Sequence, residues 1–343
     1  MKKLLNTFYV TIPDVYLSLD GENIVVLQKE KELSRIPLHN IESIVTFGRQ
    51  GASPALMRKC ANNGISLTFL SETGRFQASI IGEINGNVIL RRIQYRYADD
   101  DIKSNGIARN ILIGKLHNSK WVIERTIRDH ALRVNIESMK KAAQFISKSI
   151  INIRESVEYG QLLGLEGEAA SQYFSIFDEM ILNNKDDFYF HSRNRRPPLD
   201  NINALLSFVY TLLANDISAA LSSVGLDPFV GFLHKDRPGR RSLALDLMEE
   251  LRAPLADRFV LKLVNRSQLT GRDFTQKENG SVLLNDEARK LFVKEWQNRK
   301  IEIIEHPFLK EKIPWGLVPH TQALLLARYL RGDLDEYPPF LWK

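Results

Sequence analysis

The spacing of apolar residues changes once along this chain, and that change limits the folds open to it. From Thr7 to about Gly82 the apolar residues come in short β-branched and aromatic runs. Val15–Leu19 and Asn23–Leu27 flank Asp20-Gly21-Glu22, which reads as a hairpin. Ile44–Phe47, Ile65–Leu70 and Phe76–Ile81 read as further strands. One helix interrupts them over Ala55–Asn62, with Ser53 as N-cap, Pro54 at the first helical position and Gly64 as terminator. From Gly106 onward apolar residues recur at helical spacing instead. Ile107–His130, Val134–Tyr159, Gly160–Met180, Asn203–Val224, Ser242–Asn265, Asp286–Gln297 and Thr321–Leu330 are the expected helices, with a break at Pro254.

The expected fold class is therefore α+β: a β-rich, sandwich-like domain over residues 1–84 and an all-helical domain over 106–343. Residues 85–105, with Asn85-Gly86-Asn87 and Asp99-Asp100-Asp101, read as the linker. At 343 residues and 44% hydrophobic, the chain supports two cores. No run of eighteen apolar residues occurs, so no membrane span is expected. The N-terminal stretch meets Pro13 and Asp14 before any cleavage pattern, so it does not read as a signal peptide. The single cysteine, Cys60, rules out an internal disulfide and a cysteine zinc cage, as befits a cytoplasmic protein. The net charge of +6 is compatible with a nucleic-acid partner, and it is clustered in Arg193–Arg196 and Arg237–Arg241.

Three segments carry candidate chemistry. In the first, His234 precedes a helix whose Asp246, Glu249 and Glu250 fall three or four apart. That pattern describes either a solvated acidic stripe or carboxylates that join a histidine around a cation. In the second, Glu166 is surrounded by Gly167, Ala169 and Ala170, small residues that admit a neighbouring helix. Glu166 is then either a near-buried metal ligand or a helix N-terminal charge answering the dipole. One histidine with two or three carboxylates suits Mg²⁺ or Mn²⁺, and such ions serve phosphodiester chemistry. The third segment, Tyr189 to Pro198, is a proline-stiffened basic loop; its arginines match phosphate oxygens or pair with Asp186 and Asp187 at the surface. His234-Lys235-Asp236 lacks phospholipase D spacing, Asp129-His130 reverses an HD pair, and no phosphate-cradling glycine loop follows a strand. A helical DNA binder without catalysis and a hydrolase of small phosphate esters remain open readings at this point.

In order, Gly-Leu-Glu166-Gly-x-Ala-Ala-x-x-Tyr-Phe, Arg193-Asn-Arg-Arg-Pro-Pro and Gly231-Phe-Leu-His234…Asp246-Leu-Met-Glu249 resemble the CRISPR-associated integrase of the adaptation module. The version resembled is that of subtype I-C. The resemblance implies a metal-dependent DNA endonuclease and strand-transferase that inserts foreign fragments into the CRISPR array by 3′-OH attack. It implies catalytic and metal-ligand roles for Glu166, His234 and Glu249. Several relatives carry aspartate at the third position, which leaves Asp246 as an additional candidate ligand. It places Tyr173, Arg193, Arg195, Arg196, Lys235, Arg237, Arg240 and Arg241 near DNA. It further implies a homodimer through the β-rich domain, a small ferredoxin-like second adaptation protein as partner, and a RecB-like CRISPR nuclease as another.

Overall fold

The computed structural model describes residues 7–12, 14–41, 43–48, 51–71, 76–80, 88–156, 158–195 and 197–343. The chain splits into two compact units, Met1–Asn85 with Leu284–Glu302, and Gly86–Leu283 with Ile303–Lys343.

In the first unit, β1 (Thr7–Val10), β2 (Tyr16–Asp20), β3 (Asn23–Gln28), β4 (Lys31–Pro37) and β5 (Ser43–Phe47) precede α1 (Pro54–Asn62), β6 (Ser66–Leu70) and β7 (Phe76–Ile80). They form an antiparallel β2-β3-β4 sheet and a mixed sheet of order β1-β5-β6-β7. The β5–β6 pair is parallel, so its connection must cross over, and α1 is that crossover. Ser53 caps α1 by accepting from the Leu56 amide at 3.2 Å. Leu17, Ile24 and Val26 of one sheet share a core with Ile44 and Leu67 of the other and with Leu56 and Cys60 of α1. The exposed strand β4 gave no alternating signal because its Lys31, Glu32 and Arg35 face solvent, as edge strands do.

The second unit holds α2 (Val88–Asp99), α3 (Asp101–His130), α4 (Ile136–Glu155), α5 (Tyr159–Ser175), α6 (Asn201–Ser223), α7 (Ser242–Leu251) and α8 (Arg258–Asn265). Further along come β8 (Phe274–Gln276), β9 (Val282–Leu284), α9 (Asp286–Ile301), β10 (Ile303–Glu305), β11 (Lys312–Pro314) and α10 (Val318–Leu330). Three expectations are corrected. Most of the segment read as a linker is helix: α2 and the start of α3 occupy 88–105, while 85–87 lie outside the described residues. The helical half is not purely helical, since β8–β9 and β10–β11 are two-stranded sheets of three-residue strands, too short to leave a period. Finally, α9 belongs to the first unit, where Gln297 Nε2 donates to the Thr7 carbonyl at 2.8 Å. Among the described residues α6 alone is long and apolar enough to cross a membrane; most of it is buried, as in a core helix.

The expected break at Pro254 is a π-helical turn, Arg252–Asp257, between α7 and α8. Proline has no N–H to give the carbonyl four residues back. That carbonyl, of Glu250, instead accepts from Asn118 Nδ2 at 2.7 Å. Asn118 also donates to the Phe340 carbonyl at 2.7 Å and accepts from the Trp342 amide at 2.8 Å. One side chain on α3 therefore joins α7 to the segment 340–342. Glu250 reinforces the junction, accepting from the Phe340 amide at 2.8 Å and Gln322 Nε2 at 2.9 Å. Burial pushes its carboxyl up to about 8, so it keeps its proton at neutral pH.

This predicts a pH signature. Unfolded Glu250 loses its proton near the ordinary value of 4.5 and folded Glu250 near 8, so raising the pH between those values favours unfolding. Glu250→Gln removes that contribution. Its melting temperature relative to wild type is expected to rise between pH 5 and pH 8, read by thermal denaturation at both.

Candidate active site

The loop ahead of α7 is fixed from four helices. From α2, the buried Gln94 donates to the Asp227 and Val230 carbonyls, both at 2.8 Å, and accepts from the Asp227 amide at 2.9 Å. From α3, Ser104 donates to the Phe232 carbonyl at 3.1 Å, and from α5 the Tyr159 hydroxyl donates to the Leu233 carbonyl at 2.7 Å. The fourth anchor is Asp246 on α7. Its Oδ2 accepts from the Phe232 and Leu233 amides at 2.7 and 3.0 Å, and its Oδ1 from the His234 amide at 2.9 Å. The His234 ring adds Nδ1 to Oδ1 at 2.7 Å. A Cβ on Gly231 would lie 2.8 Å from Asp246 Oδ2 and 2.9 Å from Ser242, so only glycine lets the loop lie this close.

Asp246 is thus corrected from possible ligand to brace. A carboxylate offers about four acceptor sites, and here all are filled. With Nδ1–H donated to Asp246, the imidazole presents Nε2, which makes no hydrogen bond to a described residue. That is how ligating histidines are held in metal sites.

Glu249 follows Asp246 by three residues on α7 and is 3% exposed. Arg252 Nη2 lies 3.1 Å from its Oε1, and Lys115 Nζ, on α3, lies 2.8 Å from its Oε2. Burial alone would raise this carboxyl, but the charges of Arg252 and Lys115 above all outweigh it and hold it at about 2. Lys115 also forms an ion pair with Glu166 on α5. Glu166 sits in the middle of α5, so the dipole reading does not apply. Gly167 is exposed with open space around it, and Ala169 is the small residue turned inward. The solvated-stripe reading also fails: Asp246, Glu249 and Glu250 are all buried. Among the described residues no three His, Cys, Asp or Glu side chains converge on one point, because the two glutamates meet at Lys115. The residues nevertheless fit a cation. A positive charge already stands between the two carboxylates, and the buried Oε2 of Glu249 has that ion pair but no directed hydrogen bond.

Sequence reading missed Lys115 and Arg252. The available signal for Lys115 was a lone lysine after Gly114 in the apolar run Ile111-Leu-Ile-Gly-Lys-Leu. A Cβ on Gly114 would come within 3.0 Å of Glu250 Cγ, so this glycine lets α3 approach α7.

The residues expected near DNA divide. Arg195 and Arg237 are exposed, and Lys235 is exposed with Nζ 3.3 Å from Asp101 and 4.8 Å from the Tyr159 ring centre. Arg193 is turned inward, donating to Asn203 Oδ1 at 2.6 Å and Ser207 at 3.1 Å, with Tyr210 beneath it. Arg240 holds the Lys235 carbonyl and Ser242, and Arg241 donates to Asn215 at 2.8 Å. Each of these three arginines makes hydrogen bonds within the chain. Tyr173 is buried and is corrected from DNA contact to core residue. Its hydroxyl donates to Asp257 at 3.0 Å, beside that of Tyr210 at 2.5 Å. Burial lifts Asp257 to about 6. Arg196 lies outside the described residues.

Asp246→Asn leaves one acceptor oxygen for four donors and turns an NH₂ toward them. It is expected to cost roughly 2–4 kcal/mol of stability, with loss of hydrogen-exchange protection at the 232–234 amides. Unchanged protection there would remove Asp246 as the brace.

Residues 8–298 match the family described as CRISPR associated protein Cas1. A relative from Chlorobaculum tepidum, the CRISPR-associated endonuclease Cas1 1, is 49% identical over 343 residues, covering 100% of both chains. Among solved structures, a casposase bound to integration product has a TM-score of 0.83 at 22% identity, covering 98% of this chain and 93% of its own. A chain of a Cas6-RT-Cas1–Cas2 complex has a TM-score of 0.84 at 23% identity, covering 100% of this chain and 36% of its own. Both structures share the fold. The α+β layout, the full-length identity and the matched span agree, and the chain belongs to the CRISPR associated protein Cas1 family.

Proposed function

We propose that this chain is the integrase of CRISPR adaptation, a metal-dependent DNA endonuclease and strand-transferase acting in the cytoplasm. In this reading it joins the 3′-OH ends of a foreign DNA fragment to phosphodiesters of the CRISPR repeat. The observation that carries the reading is the pair Glu166 and Glu249 drawn to one positive centre, beside a histidine whose Nε2 is left free by Asp246. Glu166, His234 and Glu249 are the residues that would hold Mg²⁺ or Mn²⁺. When bound, such an ion polarises the phosphoryl oxygen and favours the attacking hydroxyl.

The chain's own residues supply the rest. Asp246 and the 232–234 amides keep the imidazole in one orientation. Arg252 neutralises part of the buried Glu249 charge. The exposed Arg195, Lys235 and Arg237 offer contacts to phosphates, which set register on a duplex without reading sequence. The attacking group belongs to the DNA end, so no serine or tyrosine nucleophile is required. The relative's name, endonuclease, and the casposase with its integration product support this activity. The Cas1–Cas2 complex supports a small second adaptation protein as partner. We further assign the first unit to homodimer formation and count a RecB-like CRISPR nuclease among the partners.

The test is a plasmid integration assay with Mn²⁺. Glu166→Ala, His234→Ala and Glu249→Ala are each expected to lower strand transfer roughly 100-fold or more, and EDTA to abolish it. A variant that keeps near wild-type transfer leaves the site, and EDTA resistance sinks the metal-dependent reading.

A further inference from the structure

Lys115 holds the same oxygens a divalent ion would need. Its ammonium pairs with Oε1 of Glu166 and lies 2.8 Å from Oε2 of Glu249. The lysine side chain is 12% exposed, and the Glu249 side chain 4%. The Glu166 side chain is 26% exposed; two like charges this close to a buried carboxylate repel, and among the described residues Lys115 is the only cation paired with both. Arg252 reaches only Oε1 of Glu249. With Lys115 and Arg252 facing Glu166 and Glu249, the cluster is neutral.

A divalent cation disturbs that balance. It competes with Lys115 for the carboxylate oxygens and raises the local charge to +2. The displaced ammonium stays tethered to α3 by a flexible stem, so it remains at the site in need of an anion. The anion at hand in this setting is a DNA phosphodiester. A ligand that gives the lysine a new partner removes its competition with the metal, and by linkage the effect is mutual.

We propose that Lys115 couples cation and DNA binding. In the metal-free protein it is the internal counter-ion of Glu166 and Glu249. A divalent ion displaces it from those oxygens, and it then pairs with the DNA backbone, so that each ligand strengthens the binding of the other. The inference rests on the metal-site reading above. Arginine at this position keeps the charge and the coupling; methionine keeps the stem and loses both.

The experiment measures Mn²⁺ affinity calorimetrically on the full chain, with and without a short DNA duplex. Wild type is expected to bind Mn²⁺ about tenfold tighter once DNA is present. Lys115→Met is expected to bind Mn²⁺ about tenfold tighter than wild type without DNA, and to gain little when DNA is added. Without metal it melts below wild type, and Mn²⁺ raises its melting temperature by more. Lys115→Arg is expected to follow wild type in every arm. Lys115→Met binding Mn²⁺ no tighter than wild type in DNA-free protein overturns the proposal, as does a Lys115→Arg that behaves like Lys115→Met. Glu249→Ala separates the two readings. If it binds Mn²⁺ like wild type, the metal site itself is wrong. If it loses Mn²⁺ while Lys115→Met matches wild type, only the coupling is wrong.

Discussion

The helical unit is organised around the cost of a buried carboxylate. Glu249 is excluded from water, where an isolated charge is expensive, yet it is held strongly acidic. Only positive groups drawn in from elsewhere make that possible. Arg252 comes from the π-helical turn and Lys115 from α3, while the His234 ring is set beside them by the loop braced on Asp246. Much of the local architecture follows from bringing these together. Gly114 lets α3 close on α7, and Gly231 lets the loop settle on Asp246.

Three acidic residues on one helix illustrate how finely the surroundings discriminate. At 100° per residue, Glu249 is turned 60° from Asp246 and 100° from Glu250. Asp246 meets a row of backbone amides, Glu249 meets cations, and Glu250 meets a glutamine, a backbone amide and apolar neighbours. The first serves as an acceptor hub, the second as a charged ligand candidate, and the third as a neutral acid.

Much of this was legible in the sequence. The Asp20–Glu22 hairpin, the Ser53-Pro54 start of α1 and the break at Pro254 were local features with local causes, and each is present. Motif order grouped Glu166, His234 and Glu249 as candidates, and the structure draws Glu166 and Glu249 to Lys115. What was hidden depended on distant partners. Helix α2 lies between a glycine-bearing stretch and three aspartates, and nothing local shows that its Gln94 holds a loop 133 residues away. Lys115 reaches Glu166 across 51 residues, and an ion pair of that span leaves no periodic trace. The inward turn of Arg193 and the burial of Tyr173 likewise follow from Asn203, Ser207 and Asp257, contacts that composition cannot encode. Helix α9 reads like any other amphipathic helix, and its place in the first unit is a matter of topology.

The way His234 is held carries an evolutionary consequence. Its ring is set by amides at 232–234 and by Asp246, so the geometry is written in backbone and in one aspartate. The exposed basic residues begin at the very next position, Lys235, and continue to Arg237. On the function proposed above, the ring that would hold the metal and the groups that would meet phosphate are adjacent in the chain but held by different contacts. If Lys235 and Arg237 meet a polyanion as proposed, exchanging them alters that contact while leaving the imidazole where it was. On that reading, a change of DNA contact needs no change in the backbone and aspartate that set the ring three residues or fewer away.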